Sequence, residues 1–234
     1  MKKSNPIELD FIVDKLTNSI ENVLTGDIFP TNITLLTSAD LKSVTKKSGW
    51  QFDWRFELKQ PEREVYKLTI PIAISVIQGL ISIEIRSDHV YMHLVESAPF
   101  NKGKSKVYAG VPGNLVAFAC RLSFQRGFEG NVSFVSKTQL INHYTKTLGA
   151  MHFGGHIMII DTPAALRLID KYFKKSRTMK KKVELDVDFI GGGPAPTKEE
   201  FLAISEYIKA SKAKQKLREQ RKTLRTKRNT KQPA

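Results

Sequence analysis

The chain has 234 residues, 41% of them hydrophobic, with 38 Lys/Arg against 23 Asp/Glu and a single cysteine, Cys120. That composition excludes wholesale disorder, a disulfide scaffold and a cysteine-based metal cluster. Acidic residues interrupt the N-terminal apolar run and no stretch reaches the roughly 18 apolar residues of a membrane span, so a cytoplasmic location is expected.

Leu9, Ile12, Val13, Leu16, Ile20, Val23 and Leu24 recur at helical spacing before Gly26, which predicts an opening amphipathic helix. Ile33–Leu36 is a short strand candidate. Trp50–Glu57 alternates aromatic and polar residues and reads as a strand. Val65–Ile70, Val76–Ile85 and Val90–Val95 follow as an antiparallel meander. Leu115, Phe118, Ala119 and Leu122 then mark a helix stopped by Gly127, and Asn131–Val135 a strand. Ser136 and Gln139 have capping-box spacing for a helix carrying Leu140, Ile141, Tyr144 and Leu148, ended by Gly149. His156–Ile160 is a strand, and Asp161-Thr162-Pro163 caps a helix through Tyr172. The expected fold is a mixed α/β domain over 1–173, with a mainly antiparallel twisted sheet flanked by helices.

The charge divides at the same place. Residues 174–234 hold 18 Lys/Arg against 7 Asp/Glu, whereas residues 1–173 exceed neutrality by only 4 of the total +15. Lys180-Lys181-Lys182 and Gly191-Gly192-Gly193-Pro194 predict a linker over 174–196. Thr197 and Glu200 form a capping box for a basic helix or tail over 197–234. Residues 209–234 carry eleven basic residues, one acid (Glu219) and no aromatic. Such a segment neutralises phosphates without stacking on bases, so any nucleic-acid contact is expected to be salt-sensitive and sequence-blind; a solvated tail without ligand is the other reading.

The most informative segment is Tyr108-Ala109-Gly110-Val111-Pro112-Gly113-Asn114-Leu115, between a strand and a helix. Glycine ahead of a helix N-terminus lets backbone N–H groups face a phosphate, although a plain Gly-Pro turn accounts for the same residues. No Gly-Lys-Ser/Thr ends it, so it is no Walker loop, and the preceding meander excludes a Rossmann unit. His143, His152 and His156 lack ligand partners at metal spacing, so no metal is expected.

In element order, residues 30–173 resemble the GCN5-related N-acetyltransferase (GNAT) superfamily. Gly110 matches the first glycine of its coenzyme A loop, while Val107 and Pro112 depart from it; Pro112 has no N–H to donate. Lys137 through Gly149 resembles the family's tyrosine-bearing helix, with Lys137, Leu140 and Ala150 replacing its asparagine, alanine and phenylalanine. The resemblance implies acetyl-CoA as cosubstrate, held by the amides of Gly110, Val111, Gly113 and Asn114 and, at the thioester, near Leu94 and Val95. It implies Tyr144 as general acid toward the leaving thiolate, against a core aromatic as the bland alternative. Glu96, ahead of His93, is the candidate base. The expected function is transfer of an acetyl group to an amine that the sequence does not identify. The alternative is an inactive acetyltransferase-like protein binding nucleic acid or a ribonucleoprotein through its basic tail. A third is a body that binds a partner chain.

Overall fold

The computed structural model describes residues 19–173, 185 and 187–229, and of residues 219 and 222–229 only the backbone. Two compact units emerge, one ending at Ala195 and the other beginning at Pro196.

The first unit is built on one large sheet. Its strands are β3 (Asn32–Leu35), β4 (Arg63–Thr69), β5 (Gly79–Ile85), β6 (Val90–Ser97), β8 (Val132–Val135), β9 (Met151–Gly154) and β10 (Ile157–Ile160). They lie in the order β3-β4-β5-β6-β8-β10-β9. All neighbours are antiparallel except β6 and β8, which run parallel. Parallel neighbours need a crossover, and α2 (Val111–Gln125) supplies it. A smaller sheet pairs β1 (Ser19–Asn22) with β2 (Ile28–Pro30) and with β7 (Tyr108–Ala109). The expected mixed, mainly antiparallel α/β architecture is what the chain forms.

Two apolar clusters cover the two sheet faces, because adjacent strand residues point to opposite sides. Ile81, Ile83, Val90 and Met92 join α2, α3 (Ile141–Leu148) and α4 (Thr162–Phe173) in the larger one. Leu80 and Leu94 join Trp50 and Trp54 in the smaller. Gly127, with φ +78°, follows α2 where a left-handed residue lets the chain turn away. Asp161 Oδ1 accepts from Ala164 N–H at 3.0 Å and caps α4 as its sequence indicated.

Several sequence expectations are corrected. The expected opening helix, read from Leu9 onward, lies before Ser19 outside the described residues, and Ser19–Asn22 is strand, not helix. There Asn22 Oδ1 accepts from Leu24 and Thr25 N–H, forming a side-chain turn that ends β1 and leaves Leu24 93% exposed. Trp50–Glu57 is not a strand either. Asp53 Oδ1 accepts from Phe56 N–H at 3.0 Å and starts the short helix α1 (Trp54–Lys59). Val76–Ile77 precede β5, which begins at Gly79. The Ser136–Gln139 capping box does not form; Ser136 Oγ donates to Lys137 O, and a 3-10 turn at Thr138–Leu140 leads into α3. Finally, 174–196 is not linker throughout. Residues 174–184 and 186 lie outside the description, but Phe189–Gly191 forms strand β11, hydrogen-bonded to β6.

The second unit is the helix α5 (Lys198–Asn229). Its capping box is reciprocal: Thr197 N–H donates to Glu200 Oε2 at 2.7 Å and Glu200 N–H to Thr197 Oγ1 at 3.2 Å. At 1.5 Å per residue its length is about 48 Å. No described helix is long and apolar enough to cross a membrane.

Candidate functional site

The site begins with an irregularity in β6. Ser82 opposes Leu94 and Ile83 opposes Met92, so His93 is an extra residue, bulged out of register with β5. The bulge resets the facing of the strand: Met92 and Val95 enter one apolar cluster while Leu94 enters the other. On its opposite edge β6 pairs with β8 only over Val90–Met92. Beyond Met92 the two strands part.

β11 fills the gap. Phe189, Ile190 and Gly191 oppose Glu96, Val95 and Leu94. Ser97 N–H donates to Asp188 O at 3.0 Å, so the alternation of an antiparallel ladder makes Val95 and Ile190 the next hydrogen-bonded pair. From the β8 side, Tyr144 on α3 reaches the same strand, its hydroxyl donating to Phe189 O at 3.5 Å. Tyr144 is 1% exposed and packs edge-on against Phe134 with ring centroids 5.3 Å apart. Burial raises its pKa, so the phenol keeps its proton at neutral pH.

The structure thus brings Leu94, Val95 and Tyr144 together around one gap. The Glu96 side chain points with Leu94 toward the Trp50 and Trp54 cluster, on the face opposite to Tyr144. It is 0% exposed and accepts from Gln51 N–H (2.7 Å), Phe52 N–H (3.4 Å), Trp54 Nε1–H (2.7 Å) and the Lys102 ammonium (2.6 Å). Four donors leave the carboxylate little capacity to accept another proton partner. His93, earlier on the same strand, lines a cavity of about 310 Å³ with Phe52, Glu57, Arg63, Tyr91 and Gly192. Its Nε2 lies 3.0 Å from Glu84 Oε2. Burial, then the charge of Arg63, lowers its pKa despite that hydrogen bond, which keeps the imidazole neutral.

The glycine loop lies elsewhere. Gly110, with φ +85°, is the N-cap of α2, and Pro112 occupies its first turn. Val111, Gly113 and Asn114 are buried. A Cβ on Gly113 would lie 2.1 Å from the Tyr172 ring of α4. Asn114 Nδ2 donates to Ser19 O at 3.0 Å, and its Oδ1 accepts from Thr31 Oγ1 at 3.4 Å. β1 and Tyr172 therefore cover the start of α2, leaving beside Gly110 a cavity of about 40 Å³. That is room for water, not for a pyrophosphate. A larger cavity of about 520 Å³ adjoins β11, lined by Lys104, Lys106, Leu140, Val187, Asp188 and Phe189.

Acetyl-CoA can be tested against this geometry. A thioester needs a donor for its oxygen and a proton source for its sulfur; Val95 N–H and the Tyr144 hydroxyl both face the gap, and β11 engages each of them there. With β1 and Tyr172 in place, the start of α2 does not fit the pyrophosphate. Among the described residues no group of three His, Cys, Asp or Glu could hold a metal. Cys120 is fully buried, and burial pushes its thiol pKa up, which suits a core residue. Sequence reasoning missed β11; its signal was the pair Phe189-Ile190 ahead of three glycines, two large apolar residues that an exposed linker has no use for.

No protein-family model and no curated protein matches the sequence. Solved structures do. Spermidine/spermine N-acetyltransferase SpeG from Vibrio cholerae, in mutant forms, is 13% identical, with a TM-score of 0.44 over 58% of this chain and 98% of that one. FeeM, an N-acyl amino acid synthase from uncultured soil microbes, is 10% identical, with a TM-score of 0.41 over 59% and 93%. AtaTR bound with AcCoA is 14% identical, with a TM-score of 0.39 over 59% and 97%. At such values these are likenesses between folds, and the chemistry of this chain rests on its own residues.

Proposed function

We propose that the first unit is an acyl-CoA-dependent N-acyltransferase, most simply an acetyltransferase, acting on an amine. The observation that carries the reading is the parting of β6 and β8 beyond Met92, with a backbone N–H and a protonated phenol converging on the gap. The acyl thioester supplies the activated carbonyl. Val95 N–H, beside Leu94 at the bulge, hydrogen-bonds the acyl oxygen and stabilises charge that develops on it. Tyr144 holds a proton at its hydroxyl for the departing sulfur. His93, neutral and facing the 310 Å³ cavity, takes the proton of the attacking amine, directly or through water. Glu96 positions the 51–54 segment and Lys102 that wall the site. Asn114 is corrected as a phosphate donor, because its N–H is spent on Gly110 O at 2.8 Å inside α2; Gly110, Val111 and Gly113 serve the phosphates only once β1 and Tyr172 have moved.

Tyr144→Phe tests the reading. It removes one oxygen from a packed ring, so acetyl-CoA affinity should barely move while turnover at saturating acetyl-CoA falls roughly 10²–10⁴-fold, measured as coenzyme A release. Wild-type turnover by this variant would return Tyr144 to the core.

A second reading, an inactive acetyltransferase-like protein that contacts nucleic acid, is favoured by α5. Its helix carries Lys209, Lys212, Lys214, Lys216, Arg218 and Arg221, with Glu219 the one acid among them. Binding of the whole chain to any duplex, weakening steeply between low and physiological salt, would support it. Salt-independent or absent binding would remove it.

A further inference from the structure

We propose that residues 187–193 are an autoinhibitory strand, seated where the acyl thioester would lie, and that the cleft accepts acyl-CoA only when this segment lifts out. The proposal rests on the acyltransferase reading. Its first support is substitution of like for like. The donors assigned to the thioester are those that β11 engages: Val95 N–H pairs with Ile190 and Tyr144 donates to Phe189 O. A strand carbonyl stands where each acceptor of the ligand would be.

The second support is the fit of the glycines. Gly26, Gly103, Gly127, Gly154 and Gly155 face open space, as glycines of turns and linkers do. Gly191 to Gly193 do not. A Cβ on Gly191 would lie 2.0 Å from His93 O, one on Gly192 2.8 Å from the Phe52 ring, and one on Gly193 3.1 Å from Val135. Gly191 and Gly192 also hold φ of +92° and +82°, which side chains resist. The run is cut to pass between β6, residue 52 and β8.

The third support is that the hold is specific yet small. Ile190 is 1% exposed, Phe189 packs edge-on against Phe52 at 5.3 Å under the Lys137 ammonium, and Asp188 Oδ1 accepts from Gly103 N–H at 3.0 Å. The strand is nevertheless three residues long, and its outer side borders the 520 Å³ cavity, so a ligand in that cavity meets β11 directly. Seating competes with the ligand by mass action: a strand seated nine-tenths of the time weakens apparent affinity about tenfold.

Gly191→Val in the full chain tests this, with Ile190→Asp as the second variant should the first not fold. Hydrogen exchange at the Val95 and Ser97 amides reads whether β11 has left; calorimetry with acetyl-CoA reads the cleft; a synthetic peptide of residues 187–193 serves as competitor. The expected result is lost protection at both amides and acetyl-CoA affinity at least about tenfold above that of the unaltered chain, reversed by the peptide. Equal acetyl-CoA affinity in variant and unaltered chain would overturn the inhibition while leaving the acyltransferase reading standing. Lost protection with no acetyl-CoA binding by either would overturn both. Retained protection in both folded variants would overturn the inhibition, because the strand would then not be separable from the sheet.

Discussion

The two halves of β6 keep different company. Val90–Met92 lie parallel to Val132–Phe134, a partner delivered by the crossover through α2 and buried on both faces. Leu94–Glu96 lie antiparallel to Gly191–Phe189, a partner delivered from some 95 residues further along the chain. The bulge at His93 divides them. Below it, pairing is inseparable from the fold, since α2 cannot leave without exposing the main core. Above it, the partner is a strand of three residues, held also through Asp188 to Ser97 and Gly103 and through Phe189 to Phe52 and Tyr144. One strand therefore supplies both the centre of the scaffold and the wall of the site.

Breaking the lower half should have the largest effect. Phe134 is 0% exposed and carries Tyr144 on its ring. Phe134→Ala should cost about 3–5 kcal/mol in denaturant unfolding through lost burial and the cavity left behind. A loss under about 1 kcal/mol would mean that the parallel pair is no more essential than β11. Glu96→Gln comes next. Losing the charge that receives Trp54, Gln51 and Lys102 should cost about 1.5–3 kcal/mol, the range of hydrogen bonds to charged groups. A stability near wild type with collapsed turnover would instead make Glu96 the proton acceptor. If β11 lifts as proposed, Ile190→Ala should then cost about 2 kcal/mol or less, at the low end for a buried isoleucine. A cost equal to that of Phe134→Ala would erase the distinction between the halves.

The sequence made the lower half legible and hid the upper. The meander, α2 with Gly127, and α4 with its Asp161 cap follow from local periodicity and capping, which nearby residues alone determine. Tyr144 and Val95 are singled out by the family resemblance, which periodicity alone does not supply, although the elements that carry them are locally readable. β11 could not, since three residues show no periodicity and pair across about 95 positions. Gly191-Gly192-Gly193 reads identically whether glycine serves freedom or close approach; only Val135, Phe52 and His93 around it decide. The same applies to Glu96, whose alternation along β6 is readable while its four donors, drawn from 51–54 and 102, are not. Trp50–Glu57 failed for a further reason. Aromatics at alternate positions imitate a strand, but Asp53 caps a helix in which Trp54 and Glu57 share the buried face.

The smallest expected effect lies at the bulge itself, and it is a matter of pH. His93 faces Glu84 at 3.0 Å, with Arg63 and Glu57 charged nearby and Tyr91 edge-on at 4.6 Å. Burial and Arg63 together lower its pKa, outweighing the pull of Glu84. The unfolded chain therefore takes up its proton first, near the unperturbed value of about 6.5. Neutral His93 contributes stability that is fully present above that value and is lost as pH falls through its folded pKa. One proton limits the slope to about 1.4 kcal/mol per pH unit. Glu84 acts in a separate window. Burial alone would raise its pKa, but the hydrogen bonds from Arg86 and His93 lower it, so its contribution is lost only at more acidic pH. Unfolding free energies measured from pH 8 downward should thus begin to fall near pH 6.5, and His93→Gln should flatten that first decline while leaving the acidic one. An unchanged first decline in the variant would assign it to another group and leave the bulge without a titrating residue.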